Sequence, residues 1–136
     1  MQTNRSMLDA TVIPELAYPD VNAAADWLVQ AFGFVIRLRI ADHRVQMLIG
    51  NGAMVVTSGT PAPGLAASHA VMVRVADADA HHARAKAAGA RILGEPTTYP
   101  FGERQYAALD CAGHRWVFSQ SVADVHPSEW GGELAI

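Results

Sequence analysis

The sequence lacks the features that mark a chain for export, for a membrane or for nucleic acid. It has a single cysteine, Cys111, so no internal disulfide can form, and one free thiol fits a reducing cytoplasm. No basic N-terminal segment leads into an apolar stretch, and the longest apolar runs fall far short of the roughly 20 residues a membrane helix needs. A soluble, unexported, cytoplasmic protein with no membrane contact is expected. Charge of one sign is also missing. Ten Lys and Arg stand against thirteen Asp and Glu, a net −3, with the arginines scattered rather than massed. That distribution lacks the basic footprint that a phosphate backbone attracts, so nucleic acid is not expected as a partner. There is no CxxC pair, no glycine loop to cradle phosphate and no Ser-His-Asp order.

What the chain does have is apolar material, 51% of its 136 residues, with 17% charged. A single domain of this size buries on the order of two-thirds of its unfolded surface without disulfides or a structural metal. The order of segments repeats. "VIPELAYPDVNAAADWLVQAFGFVI" (12–36) reads as a short strand, an Asp, an amphipathic helix, a Gly and a new strand, and "HAVMVRVADADAHHARAKAAGARI" (69–92) reads the same way. Aligning Asp20 with Asp77 brings Gly33 within one residue of Gly89, an internal symmetry.

Each helix starts at a side chain that can accept from the free first-turn amides, Asp20 in one half and Asp77 or Asp79 in the other, and each stops at a glycine. Ala24, Trp27, Leu28, Ala31 and Phe32 form one apolar stripe, and Ala80, Ala83, Ala87 and Ala88 a thinner one. Strand-like runs follow both helices, "VIRLRIAD", "HRVQMLIG" and "AMVVTSG" in the first half, "RILGEP", "RQYAALD" and "HRWVFSQ" in the second. Asn51-Gly52 and "DCAG" supply turns. The expected class is α+β. Two βαβββ modules, about 11–58 and about 68–121, are joined by a linker at about 59–67 and followed by a C-terminal arm at 122–136, in which Trp130 is expected to dock.

"PD" entering the first helix, "AFGF" closing it, "AKAAGA" closing the second and "D-x-x-G-H-x-W-x-F" in the last strand resemble the vicinal oxygen chelate superfamily. That group contains the glyoxalases, extradiol dioxygenases and bleomycin-resistance proteins. The resemblance spans about residues 11 to 121 and implies two modules whose curled mixed sheets form a cavity, within a homodimer. It also implies where metal-using members place their ligands. One position lies seven residues before the helix-starting Asp, here Ile13 and Ala70. Another lies four after the turn glycine, here Val117 and, by internal analogy, Val56. None of these four side chains can donate to a divalent ion. The resemblance is therefore to the metal-less, bleomycin-resistance-like branch, and no metal or other cofactor is expected. His69 stands one residue from Ala70, and a one-residue slip turns a side chain to the other face of a sheet, so it is expected at the core edge or surface.

Alternation along the strands groups the candidates for the cavity face. Glu15 and Ala17 go with Ile13; Met54 and Ser58 with Val56; Met72 and Arg74 with Ala70; Arg115 and Ser119 with Val117. Arg104 and Tyr106 share a face of their strand, and sequence leaves open whether it is the cavity face. A bowl lined by Glu15, Met54, Met72, Arg74, Arg104, Tyr106, Arg115 and Val117 suits a small organic ligand with a hydrophobic or aromatic body. Arg74 and Arg115 can fork onto a carboxylate or a planar oxygen-rich group, or pair with Glu15 as a structural unit. Glu15, if unpaired against Met54 and Met72, would be a general base, and Tyr106 could offer a hydroxyl. Sequestration of the ligand and catalysis as a lyase, isomerase or dioxygenase both remain open. His81 and His82 are expected to be solvated, His114 to tie down the "DCAG" turn through a ring nitrogen, and Cys111 beside Asp110 to be a poor nucleophile.

Overall fold

The computed structural model describes residues 1–136. Its elements are β1 (Glu15–Tyr18), α1 (Val21–Phe32), β2 (Val35–Ile40), β3 (Arg44–Ile49), β4 (Gly52–Ser58), β5 (Val71–Arg74), α2 (Ala78–Ala87), β6 (Arg91–Thr98), β7 (Glu103–Leu109) and β8 (Arg115–Ser121). Each half is βαβββ, and the two halves form separate four-stranded sheets, ordered β1-β4-β3-β2 and β5-β8-β7-β6. Both sheets are mixed, with β1 parallel to β4, β5 parallel to β8 and the remaining pairs antiparallel. The α+β class and the two-module plan are as expected from the repeat.

The helices begin where the aspartates place them. Asp20 accepts from the amide of Ala23 at 3.1 Å and Asp77 from that of Ala80 at 3.0 Å. Asp79 is free for other work. Gly33 ends α1 with φ at +77°, and a Cβ there would stand 3.0 Å from Arg84 Nη1. That close approach has a purpose, because the last carbonyls of a helix need donors. Arg84 Nε donates to Gln30 O at 2.8 Å, its Nη2 donates to Val29 O at 2.9 Å, and His81 Nε2 donates to Phe32 O at 2.9 Å. The second helix thus caps the first with a cation at the negative end of its dipole.

One core serves both modules. It joins Leu16, Tyr18, Val45, Met47, Met54 and Val56 of the first sheet, the Leu28, Ala31 and Phe32 face of α1, Ala85 of α2, and Tyr106, Ala108, Trp116 and Phe118 of the second sheet. The helices lie between the two sheets, so each sheet has an inner face toward them and an outer face turned away.

The stripe expected on α2 is displaced. Ala80, Ala83 and Ala87 are exposed, while Ala78 and Ala85 are buried with His81, His82 and Ala88 partly so. Both histidines occupy the packed face, contrary to the solvated pair expected. Hydrogen bonding makes this possible for His81, whose Nδ1 accepts from the Tyr106 hydroxyl at 2.5 Å. Trp130 docks only in part: it is 47% exposed, with its ring 5.3 Å from that of Phe101.

Candidate functional site

Register decides which residues reach the outer faces. In the second module Met72 pairs with Val117 and Arg74 with Ser119, while Trp116 and Phe118 lie in the core. Met72, Arg74, Arg115, Val117 and Ser119 therefore share the outer face, as alternation indicated. Across the β7–β8 hairpin Ala107 pairs with Val117 and Gln105 with Ser119, so β7 contributes Glu103, Gln105 and Ala107 to that face. Arg104 and Tyr106 point the other way.

The reason is the length of the turn. A four-residue "DCAG" connection would set Tyr106 across from Val117. The loop instead takes five residues, closed by the Asp110 amide donating to His114 O at 2.9 Å, and Leu109 faces Arg115. Arg104 consequently grips Asp79 of α2 through two bonds of 3.0 and 2.9 Å. Tyr106 is 2% exposed, and burial pushes its phenol up. Arg104 is thereby turned away from the outer face, while Tyr106, its hydroxyl bonded to His81, still borders the hollow on that side.

The first module holds a second correction of the same kind. Glu15 pairs with Val55 and Leu16 with Val56, so Met54 and Val56 face the helices, both fully buried. The counterpart of Val117 is Val55, because Asp20 and Asp77 stand equally far from Glu15 and Met72 in sequence. Analogy through Gly52 misses this by one residue, since Gly52 already belongs to β4 while Gly113 precedes β8 by two. Glu15 does lie on the outer face, where it is ion-paired with Arg44 of β3 rather than with Arg74 or Arg115. The unpaired carboxylate against Met54 and Met72 that a general base would need is not formed.

The outer face of the second module carries a polar network and a hollow. Ser119 Oγ donates to Glu103 Oε1 at 2.7 Å, Gln105 Nε2 donates to Ser119 Oγ at 3.0 Å, and Arg74 Nη1 donates to Ser121 Oγ at 3.0 Å. Hydrogen bonds from Ser121 and Ser119, with the nearby charge of Arg74, hold the Glu103 carboxyl below its usual range. Beside this network a hollow of about 220 Å³ is lined by nine residues, among them Leu93, Glu95, Tyr99, Tyr106, Arg115 and Val117. Arg115 is exposed there and enters none of the chain's ion pairs. Met72, 63% exposed, adds an apolar side chain to the same face. Sequence reasoning missed Glu103, Gln105, Arg44 and Tyr99; the first two were within reach by counting a five-residue loop back from Val117.

His114 does a different task from the one expected. The turn is held by Asp110, whose Oδ1 accepts from the amides of Ala112 and His114, both at 3.0 Å. The His114 ring instead crosses to the first module, donating from Nε2 to Ala17 O at 2.7 Å, with Nδ1 left unpartnered. A second cleft, of about 350 Å³, lies on this side of the molecule between Tyr18, Trp27 and Cys111. There burial and Asp110 push the Cys111 thiol up to about 11.

Paired βαβββ modules with these sheet orders match a known family. The family model described as Glyoxalase/Bleomycin resistance protein/Dioxygenase superfamily matches residues 8–118. The chain belongs to this superfamily. Among solved structures, TioX from Micromonospora sp. ML1 is 35% identical, over 80% of this chain and 96% of that one, with a TM-score of 0.69. Two more distant members share the fold. A glyoxalase/bleomycin resistance protein/dioxygenase family enzyme from Burkholderia phytofirmans PsJN is 16% identical over 80% of this chain and 96% of its own, with a TM-score of 0.70. Lactoylglutathione lyase from Agrobacterium tumefaciens is 17% identical over 92% and 98%, with a TM-score of 0.64. No curated protein matches significantly.

The divalent metal of the superfamily's enzymes does not fit the residues present. Ile13, Val55, Ala70 and Val117 offer no donor atom, Glu15 is engaged by Arg44, and no three His, Cys, Asp or Glu side chains converge anywhere in the chain. His69 is exposed beside Ser68 and outside any such group. No helix is long and apolar enough to cross a membrane.

Proposed function

We propose that this superfamily member binds a small organic molecule on the outer face of its second module without the help of a metal. The observation that carries this reading is the Arg115 guanidinium, free of ion-pair partners, beside Val117 at a hollow of mixed polar and apolar lining that also holds Glu95. A free guanidinium next to Leu93, Tyr99 and Met72 suits a ligand with a carboxylate or planar oxygen-rich group on a hydrophobic or aromatic body. Arg74 and Glu103 supply further polar contacts at the edge. Glu15 and the first module enter through a second copy. Both outer faces look away from the helix seam, so a homodimer that sets one chain's second module against the partner's first would close the bowl.

Metal analysis and native mass spectrometry of protein purified without chelators test this. A dimer with at most traces of metal is expected, with organic cargo that is lost in Arg115→Ala. Stoichiometric Zn, Ni, Fe or Mn at an intramolecular site would overturn metal independence, and an Arg115→Ala protein that retains its ligand would remove the second-module face as the site.

A further inference from the structure

We infer that the outer face of the first module is a recognition site for a peptide turn, occupied in this chain by its own residues 5–8, where the Met7 amide closes the turn on Asn4 O at 3.1 Å. The contacts are those of peptide recognition. Gln46 of β3, only 4% exposed, donates from Nε2 to the Ser6 carbonyl at 2.9 Å. Arg37 of β2 donates from Nη2 to the Arg5 carbonyl at 2.8 Å and from Nη1 to Gln46 Oε1 at 2.5 Å, which fixes the amide with its N–H toward the segment. Two consecutive main-chain carbonyls are thus read by one rigid pair of side chains. Two residues further on, Leu8 is 5% exposed in a cluster with Ala53, Val55, Ala10 and Ile13 that is separate from the main core.

The slot for Leu8 includes Ile13 and Val55. Nothing in these contacts depends on the identity of Arg5 or Ser6, because only their carbonyls are used. The segment forms no ladder with the sheet, and apart from Leu8 every residue from 1 to 9 is exposed. Its other bonds are local, with Ser6 and Met7 amides donating to Asn4. Opening the face therefore requires the withdrawal of one apolar side chain and two bonds to main-chain carbonyls, and leaves the core untouched. Residues 5–8 act as a plug that any other occupant of this face must displace.

The proposed dimer uses this same face, so the site is tested by contacts of the first module alone, with full-length protein and a synthetic peptide of residues 1–10. The Leu8→Asp chain, with its own plug expelled, should take up the peptide in trans, seen by NMR as a return of the Gln46 side-chain amide resonances toward their wild-type positions. A tether of this length supplies an effective concentration on the order of millimolar, so the peptide is added at several times that level. Wild-type protein should bind it at least tenfold more weakly, since the site is filled, and a peptide carrying Leu8→Asp should not bind. Arg37→Ala in the otherwise wild-type chain loosens the plug without placing a charge in the slot, and should move the same Gln46 resonances. Equal peptide binding by wild-type and Leu8→Asp proteins, no binding by Leu8→Asp protein whose Trp116 and Phe118 resonances remain native, or an unmoved Gln46 amide in Arg37→Ala would each overturn the inference.

Discussion

Replacing Asp110 by alanine removes a buried carboxylate that organises the seam between the modules. Its Oδ2 accepts from the Tyr18 hydroxyl at 2.5 Å and from Trp116 Nε1 at 3.0 Å, and its Oδ1 from two backbone amides at 3.0 Å each. Tyr18 and Trp116 are both fully buried, so neither donor can turn to bulk water when the carboxylate goes. A bond to a charged acceptor is worth about 1.5–3 kcal/mol, and an orphaned buried donor costs about 1–3 kcal/mol. The four losses do not add, because the turn amides lie close enough to the surface for water to replace part of what they lose. Roughly 4 kcal/mol is expected in all, comparable to breaking a buried charge pair. At this chain length that corresponds to a fall in Tm of roughly 15 °C. Asp110→Asn should fall between wild type and alanine, because an amide has to present its NH₂ either to the two backbone donors or to the indole, which cannot accept. Tyr18→Phe, which removes one donor and leaves three, should lose only about 1 kcal/mol. Urea unfolding followed by tryptophan fluorescence and circular dichroism measures all three. A loss below about 1 kcal/mol in Asp110→Ala would refute the assignment of this carboxylate as the centre of the seam.

Two further predictions concern titrating groups. His81 is held neutral, because burial lowers its imidazole below the ordinary 6.5 while Nδ1 accepts from Tyr106. In the window below pH 6.5 and above the depressed folded value the unfolded chain binds more protons. Stability is therefore full above pH 6.5 and declines as the pH falls through that window. The slope between neutral and mildly acid pH should shrink in His81→Gln, and a wild-type slope no steeper than that of the variant contradicts the neutral imidazole. Cys111, with its thiol pushed from 9.0 to about 11, should carry about a hundredfold less thiolate at pH 8 than an ordinary cysteine. Its alkylation by iodoacetamide should still rise nearly tenfold between pH 9 and pH 10, and a rise of about twofold or less over that interval contradicts the raised value.

The parts of the fold that were legible share a cause. Both helix starts and the glycine ending α1 follow from residues close together in sequence, where a side chain meets its own backbone, whereas the mixed sheets were expected only from the family resemblance. The second-module candidates Met72, Arg74, Arg115 and Val117 were legible because the aromatics Trp116 and Phe118 mark the core side of β8 unambiguously. Misassigned residues lie where phase has to be carried across a turn. One extra residue in the "DCAG" loop sends Tyr106 and Arg104 to the helices and brings Gln105 and Glu103 outward. In the first module, one residue of offset at Gly52 exchanges Val56 for Val55. His81 and His82 went astray for another reason, since a histidine counts as polar until a buried phenol and a helix's last carbonyl are there to meet it.

The sequence by itself determined that this chain makes two βαβββ modules, and that the positions where metal-using relatives place ligands have no donor atoms, whichever of Val55 and Val56 is counted. The first conclusion rests on local periodicity, and the second on positions that the family resemblance implies. Only the tertiary structure decided which face each strand presents, because parity depends on how many residues a loop spends closing its own hydrogen bonds. Only it, too, brought residues 5–8 onto the first sheet, since a contact between Gln46 and the carbonyl of Ser6 leaves no trace in the pattern of either segment.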